Sequence, residues 1–193
     1  MTTLILIRHA PTRPNPSLSA DQWQLTDASE VLCQQLAQEI KDYNVSKIYM
    51  SHEAKAIQTA NYVALALGDI PTQIANDLHE TERKTNKFYE SQVKFRQAVM
   101  RAMQSPDELL FGDETFTDAR QRFALAIKHL AKQHTDETIG IVSHGRVLSL
   151  YLWQIMNESP MTIWQHLKMP AFAVLAWKTQ TINRIVYQLE DNP

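Results

Sequence analysis

Cysteine is nearly missing from this chain: Cys33 stands alone among 193 residues. A single thiol closes no internal disulfide and builds no cysteine-cluster metal site. Cys33 also has no arginine six residues on, which removes the loop of a cysteine-based phosphatase. Glycine is scarce as well, at four residues, and neither a Gly-x-x-x-x-Gly-Lys nucleotide loop nor a Gly-x-Ser-x-Gly elbow is present. No apolar stretch approaches the ~20 residues needed to span a bilayer. Nor does charge of one sign accumulate: 19 Lys and Arg against 21 Asp and Glu leave a formal −2. That balance gives no general pull toward nucleic acid or an anionic membrane. The sequence opens directly on an apolar tetrad, without a basic n-region, apolar h-region or cleavage site, so cytoplasmic residence is the default expectation. Length and ordinary apolar content suit one compact domain over residues 1–193.

What is present begins at residue 4. Leu4-Ile5-Leu6-Ile7 reads as a short strand buried on both faces, and it runs straight into Arg8-His9. A cation and an imidazole at the carboxyl end of such a strand stand where open α/β sheets bind ligands. Taken alone, the dipeptide fits an edge decoration as well as a site. Thr138 to Ser143 is a second apolar strand candidate, and it too delivers a histidine, His144, followed by Gly145 and a helical run to Met156. Two strands that each end in a histidine predict a convergent pair.

Between them, strand and helix patterns alternate. Thr26 is placed to cap a helix over 27–42, with Val31, Leu32, Leu36 and Ile40 on one face and Cys33 as a buried thiol. A strand over 45–50, a helix over 54–67 stopped at Gly68, and an extended piece within 71–78 follow. Helices over 90–104, 115–133 and 162–167 and strands over 171–177 and 182–189, joined across 178–181, complete the pattern. Residues 11–23 are too broken by proline for a helix. The alternation predicts a three-layer α/β/α sandwich with a largely parallel central sheet.

A neutral imidazole can attack phosphorus and divide one hard displacement into two easier ones. The charge on a transferring phosphoryl group asks for cations and donors around one position. Arg8 supplies a planar fork, His144 a donor near a helix start, and Lys55 a further cation in the first turn of the 54–67 helix, where the helix dipole disfavours it.

In order along the chain stand Arg8-His9-Ala10-Pro11-Thr12-Arg13-Pro14-Asn15, Leu25-Thr26, and Ser51 to Ala60, which includes Lys55. Leu78-His79-Glu80, Gly112-Asp113-Glu114-Thr115 with Arg120 or Arg122, and Ser143-His144-Gly145 follow. This ordered set resembles the histidine phosphatase superfamily, the fold shared with phosphoglycerate mutases. The resemblance implies His9 as the phosphorylated nucleophile and Arg8, Lys55 and His144 as the phosphate pocket. It adds Asn15 as a further phosphate donor and Glu80 as the catalytic acid, ahead of the neighbouring Glu82. Ala10, Ser29 and Lys55 depart from the common pattern, and only Lys55 bears on chemistry, because lysine lacks the bidentate fork.

The expected activity is therefore metal-independent phosphomonoester hydrolysis through a phosphohistidine, without a cofactor. The expected partner is a small phosphorylated metabolite or a phosphoprotein. The alternatives are a mutase-type phosphotransferase and a non-catalytic phospho-ligand-binding protein weakened by Lys55. Residues 81–108, which include Arg83, Lys84, Lys87, Phe88, Tyr89 and Arg96, are expected to cap the pocket and select the leaving group. His52 and His79 also fall near strand ends, but phosphate already accounts for His9 and His144, and no metal is expected.

Overall fold

The computed structural model describes residues 1–83, 89 and 91–189. Six strands, β1 (Thr3–Arg8), β2 (Lys47–Met50), β3 (Thr72–Ile74), β4 (Thr138–Ser143), β5 (Ala171–Ala176) and β6 (Thr181–Val186), form one sheet in the order β3-β2-β4-β1-β5-β6. Pairings from β3 through to β1 are parallel. β5 runs antiparallel to both β1 and β6, so it alone opposes the other five.

Alternation along each strand sorts the core into two layers. Leu4 and Leu6 of β1, with Ile139 and Ile141 of β4, face helices α4 (Phe116–Gln133) and α5 (Gly145–Met156) through Phe123, Ile127 and Val147. Ile5 and Ile7, with Ile48 and Val142, face α1 (Ser29–Ile40) and α2 (Ala54–Ala66) through Cys33, Leu36, Ile40, Ala60 and Val63. The expected three-layer α/β/α sandwich is what forms. A smaller apolar cluster joins α3 (Gln92–Gln104) and α6 (Pro160–His166) to the body: Val99, Met103, Phe111 and Phe116 pack with Phe95 and Trp164. Among the described residues no helix is long and apolar enough to cross a membrane.

Local chemistry sets the helix ends. Ser91, Thr115 and Ser159 accept hydrogen bonds from the amides three residues on and start α3, α4 and α6. Thr26 does not cap α1 as the sequence predicts: its carbonyl accepts the Ser29 amide, and the helix starts three residues later, behind Ala28. Val31 also leaves the predicted face, being 57% exposed. The buried stripe of α1 runs through Cys33, Leu36, Ala37 and Ile40, and burial pushes the Cys33 thiol up to about 12. Glu90, at the predicted start of the third helix, lies outside the described residues, as do Lys84, Lys87 and Phe88 of the expected cap.

Gly112 has no substitute in its loop. Its φ is +94°, and a Cβ there would meet the Glu82 carbonyl oxygen at 1.9 Å. Asp113 N–H instead donates to that oxygen at 2.9 Å, which ties the segment before α4 to the segment after β3.

Phe123 is fully buried, with the Tyr151 ring edge-on at 5.5 Å. Phe123→Ala should lower the unfolding free energy by about 3–5 kcal/mol, read from urea midpoints at unchanged m-value.

Candidate active site

The β1–β4 register pairs Arg8 with Ser143, and the His9 amide donates to the Ser143 carbonyl at 3.0 Å. The next residue of each strand is a histidine, so the two rings meet at the carboxyl edge with centroids 5.2 Å apart. The predicted convergence is real.

The His9 ring is oriented by the chain itself. Its Nδ1 lies 2.8 Å from the Ala10 carbonyl oxygen, which can only accept, so Nδ1 carries the proton and Nε2 the lone pair. Ala10 is fixed in turn, donating its amide to Thr59 Oγ1 at 3.0 Å. Burial, then His144, Lys55 and Arg8, hold the His9 imidazole well below its ordinary 6.5 and therefore neutral. His144 is 0% exposed and likewise held well below 6.5, by burial first and Lys55 next. Its Nε2 is 3.3 Å from Glu53 Oε1, yet neither ring nitrogen has a partner in hydrogen-bonding geometry.

Arg8 donates through Nη1 to the Leu167 carbonyl, and its buried Nε is unpartnered. Burial brings its pKa down to about 10. Gly145 makes room for that guanidinium, since a Cβ at 145 would lie 2.8 Å from Arg8 Cζ. Lys55 is 6% exposed and closes the pocket from α2. It donates to the Ala20 carbonyl at 2.7 Å and forms an ion pair with Glu53.

Glu53 is the site residue that sequence reasoning misses. It occupies the N-cap position of α2 without capping it. Its carboxylate instead turns inward, pairing with Lys55 and accepting the Glu80 amide at 2.8 Å. Burial pushes this carboxyl up, but the Lys55 charge and hydrogen bonds outweigh it and hold Glu53 below the carboxylate range. The one signal in the sequence is an acid two residues before a cation that the dipole disfavours.

From the segment after β3, the Glu80 carboxylate reaches the first amides of α5, the helix that begins directly after His144. Its Oε1 accepts the amides of Thr81 and Val147 at 2.9 and 3.0 Å, and its Oε2 that of Arg146 at 3.0 Å. Burial again works against ionisation, yet Arg146, His144 and these amides win, and the carboxyl is lowered. Glu80 is thus held ionised, the reverse of the raised value an acid requires. Glu82 is turned away, toward His79 Nε2 at 3.3 Å.

A polar staple fixes the approach to Glu80. Ser143 Oγ donates to the Leu78 carbonyl at 2.7 Å. Arg122, ion-paired to Glu114 at 2.7 Å, donates to the Asp77 and His79 carbonyls, and Glu114 accepts the Glu82 amide. Of the two arginines the sequence offers for this motif, Arg122 is the one engaged; Arg120 lies over the Trp153 ring. Asn15 does not join the cluster: it is exposed, its Oδ1 accepts the Ser17 amide, and its carbonyl accepts Trp23 Nε1. Among the described residues no group of three or more His, Cys, Asp or Glu is placed to hold a metal ion.

The family model of the histidine phosphatase superfamily (branch 1) matches residues 4–187. The chain belongs to the histidine phosphatase superfamily. Within it, a curated relative, phosphoglycerate mutase-like protein 4 of Arabidopsis thaliana, is 25% identical over 158 residues, covering 77% of this chain and 69% of the relative. YhfR of Bacillus stearothermophilus superposes with a TM-score of 0.77 at 21% identity, covering 100% of this chain and 98% of that one. A phosphoserine phosphatase mutant of Entamoeba histolytica, solved in complex with phosphoserine, gives 0.75 at 21% identity over 96% of each chain. These solved structures establish that the superfamily's phosphoglycerate mutase-like fold is shared.

Neutral burial of two imidazoles has a consequence for stability. Unfolded, each binds a proton near 6.5; folded, each resists it until a lower pH. Their contribution is complete above about 6.5 and drains away as pH falls, by up to ~1.4 kcal/mol per pH unit per imidazole. Glu53 and Glu80 lose theirs only below the ordinary 4.5. Urea midpoints should therefore drop between pH 7 and 5 in the wild type, and His144→Asn should make that slope shallower.

Proposed function

We propose that this chain is a phosphomonoester hydrolase that works through a phosphohistidine at His9. The observation that carries the reading is the His9 ring: buried, neutral, and with Nδ1 committed to the Ala10 carbonyl, so that Nε2 presents its lone pair among Arg8, Lys55 and His144. Membership of the superfamily supports it. The structural neighbour named as a phosphoserine phosphatase, solved with phosphoserine, favours a small phosphorylated metabolite as the substrate.

In the first step His9 Nε2 bonds to phosphorus as the ester P–O bond breaks. Arg8, Lys55 and His144 bind the phosphoryl oxygens, and Glu80 gives a proton to the departing oxygen. A phosphate dianion beside Glu80 supplies the like charge that lifts its pKa, so substrate entry loads the acid. In the second step water attacks phosphorus, Glu80 takes the water's proton, and the P–N bond breaks to restore His9. In this reading the described residues of the 81–108 segment cover the pocket and select the leaving group.

A second reading, a phospho-ligand-binding protein without turnover, is favoured by one observation: the Glu53 carboxylate pairs with Lys55 and so cancels much of its charge. Release of phosphate from p-nitrophenyl phosphate separates the two. Hydrolysis that His9→Ala abolishes, together with an acid-labile phosphoenzyme, supports the hydrolase. Phosphate binding with no turnover at any pH selects the second reading.

Gly145→Ala probes the pocket independently of turnover. Displacing the Arg8 guanidinium should weaken binding of inorganic phosphate by about tenfold, measured by calorimetry. Unchanged affinity would remove Arg8 from the pocket.

A further inference from the structure

We propose that Arg83 and Arg146 form a receptor for a carboxylate on the leaving group, so that the preferred substrate is the phosphomonoester of a hydroxy acid. This rests on the preceding reading for the position of the phosphate.

Arg83 follows Glu80 by three residues, and Arg146 follows His144 by two. Their guanidinium groups share one aromatic bed. Arg83 Cζ lies 5.5 Å from the Phe95 ring and 5.4 Å from the Phe111 ring, and Arg146 Cζ lies 5.7 and 5.1 Å from the same two. Ring faces hold a guanidinium flat and leave its N–H edge for a ligand. Arg83 Nη1 is buried and has no hydrogen-bond partner, a donor whose desolvation nothing yet offsets. Arg146 is oriented by Thr81 Oγ1, which accepts its Nε at 2.6 Å, while its Nη2 stays 3.7 Å from Glu80 Oε2, too far for a hydrogen bond. Two like charges on a shared apolar bed repel each other unless an anion lies between them.

Charge selects which anion. Among the described residues Lys55 is balanced by Glu53 and Arg122 by Glu114. Arg8, Arg83 and Arg146 remain, with Glu80 beside them. Once Glu80 carries the proton needed for the leaving group, three positive charges face a phosphate dianion, and one is left over. A carboxylate brings a single negative charge and two coplanar oxygens that match a guanidinium fork. A second phosphate dianion overshoots the balance.

The test is a matched pair, 3-phosphoglycerate and sn-glycerol 3-phosphate, which differ by a carboxylate in place of a hydroxymethyl group. The wild type should favour the carboxylate in kcat/KM by about 10- to 100-fold. Arg83→Met should bring the ratio near unity, and Arg83→Lys should restore part of it. Calorimetric affinities for the same pair on His9→Ala should show the same discrimination without turnover. Binding discrimination in a chain that hydrolyses nothing would therefore remove the phosphatase reading and leave this one standing. Equal values for the two compounds in the wild type, a comparison that needs no variant to fold, would overturn the carboxylate receptor. So would a preference for 1,3-propanediol bisphosphate over 3-phosphoglycerate.

Discussion

The parallel pairing of β1 with β4 is the contact on which the site depends. It places Arg8 opposite Ser143 and lets the His9 amide reach the Ser143 carbonyl, so the residue after each strand lies beside the other. Register in a sheet is quantised: a slip of one residue would turn His9 to the opposite face and exchange the two core layers. The apolar alternation that sorts Leu4 and Leu6 from Ile5 and Ile7 therefore fixes the site as well as the core. Gly140 keeps the alignment dense on the α1–α2 side, where a Cβ would approach Ile48 Cγ1 to 3.1 Å. Fold and chemistry draw on the same two strands.

Around that junction the protein meets a problem common to buried cations, which is how to hold them out of water. Buried charges are expensive unless they are paired. Here two carboxylates take that part. Glu53 holds Lys55 and the Glu80 amide, and Glu80 lies against the α5 amides and near Arg146. Arg8 is less fully served, with one carbonyl partner and a pKa brought down to about 10. In the proposed hydrolase the same acids that steady these cations compete with phosphate, so affinity and stability pull against each other.

Much of this architecture is legible in the order of the residues. Short apolar strands ending in histidine announce themselves by composition, and Thr115 lies where a helix pattern begins, whereas Ser159 starts α6 two residues ahead of the helix read over 162–167. The start of α1 departs from its pattern because a carbonyl at Thr26 does the work that a hydroxyl usually does. Val31 departs because it stands on the side of the helix opposite the Cys33, Leu36, Ala37 and Ile40 stripe. Glu53 stays hidden for another reason. Its role comes from turning inward to meet Lys55, the Glu80 amide and His144, and linear spacing hints only at the first of these. The direction of the Glu80 pKa is equally unreadable, since it is set by the Arg146 charge, by His144 and by backbone amides, which meet Glu80 only in the fold.

β5 is the one strand that runs against the others, inserted between β1 and β6. By occupying the far side of β1 it moves the sheet's open margins away from the two histidines. Those margins are then poor templates for another chain. β3 offers three residues, all exposed, with Gln73 drawn to Lys47, and β6 carries Arg184 tied to Glu39 of α1. Short, charged borders of this kind discourage strand addition, so the most reactive part of the molecule lies in the middle of its sheet, far from any surface where a misaligned strand could attach.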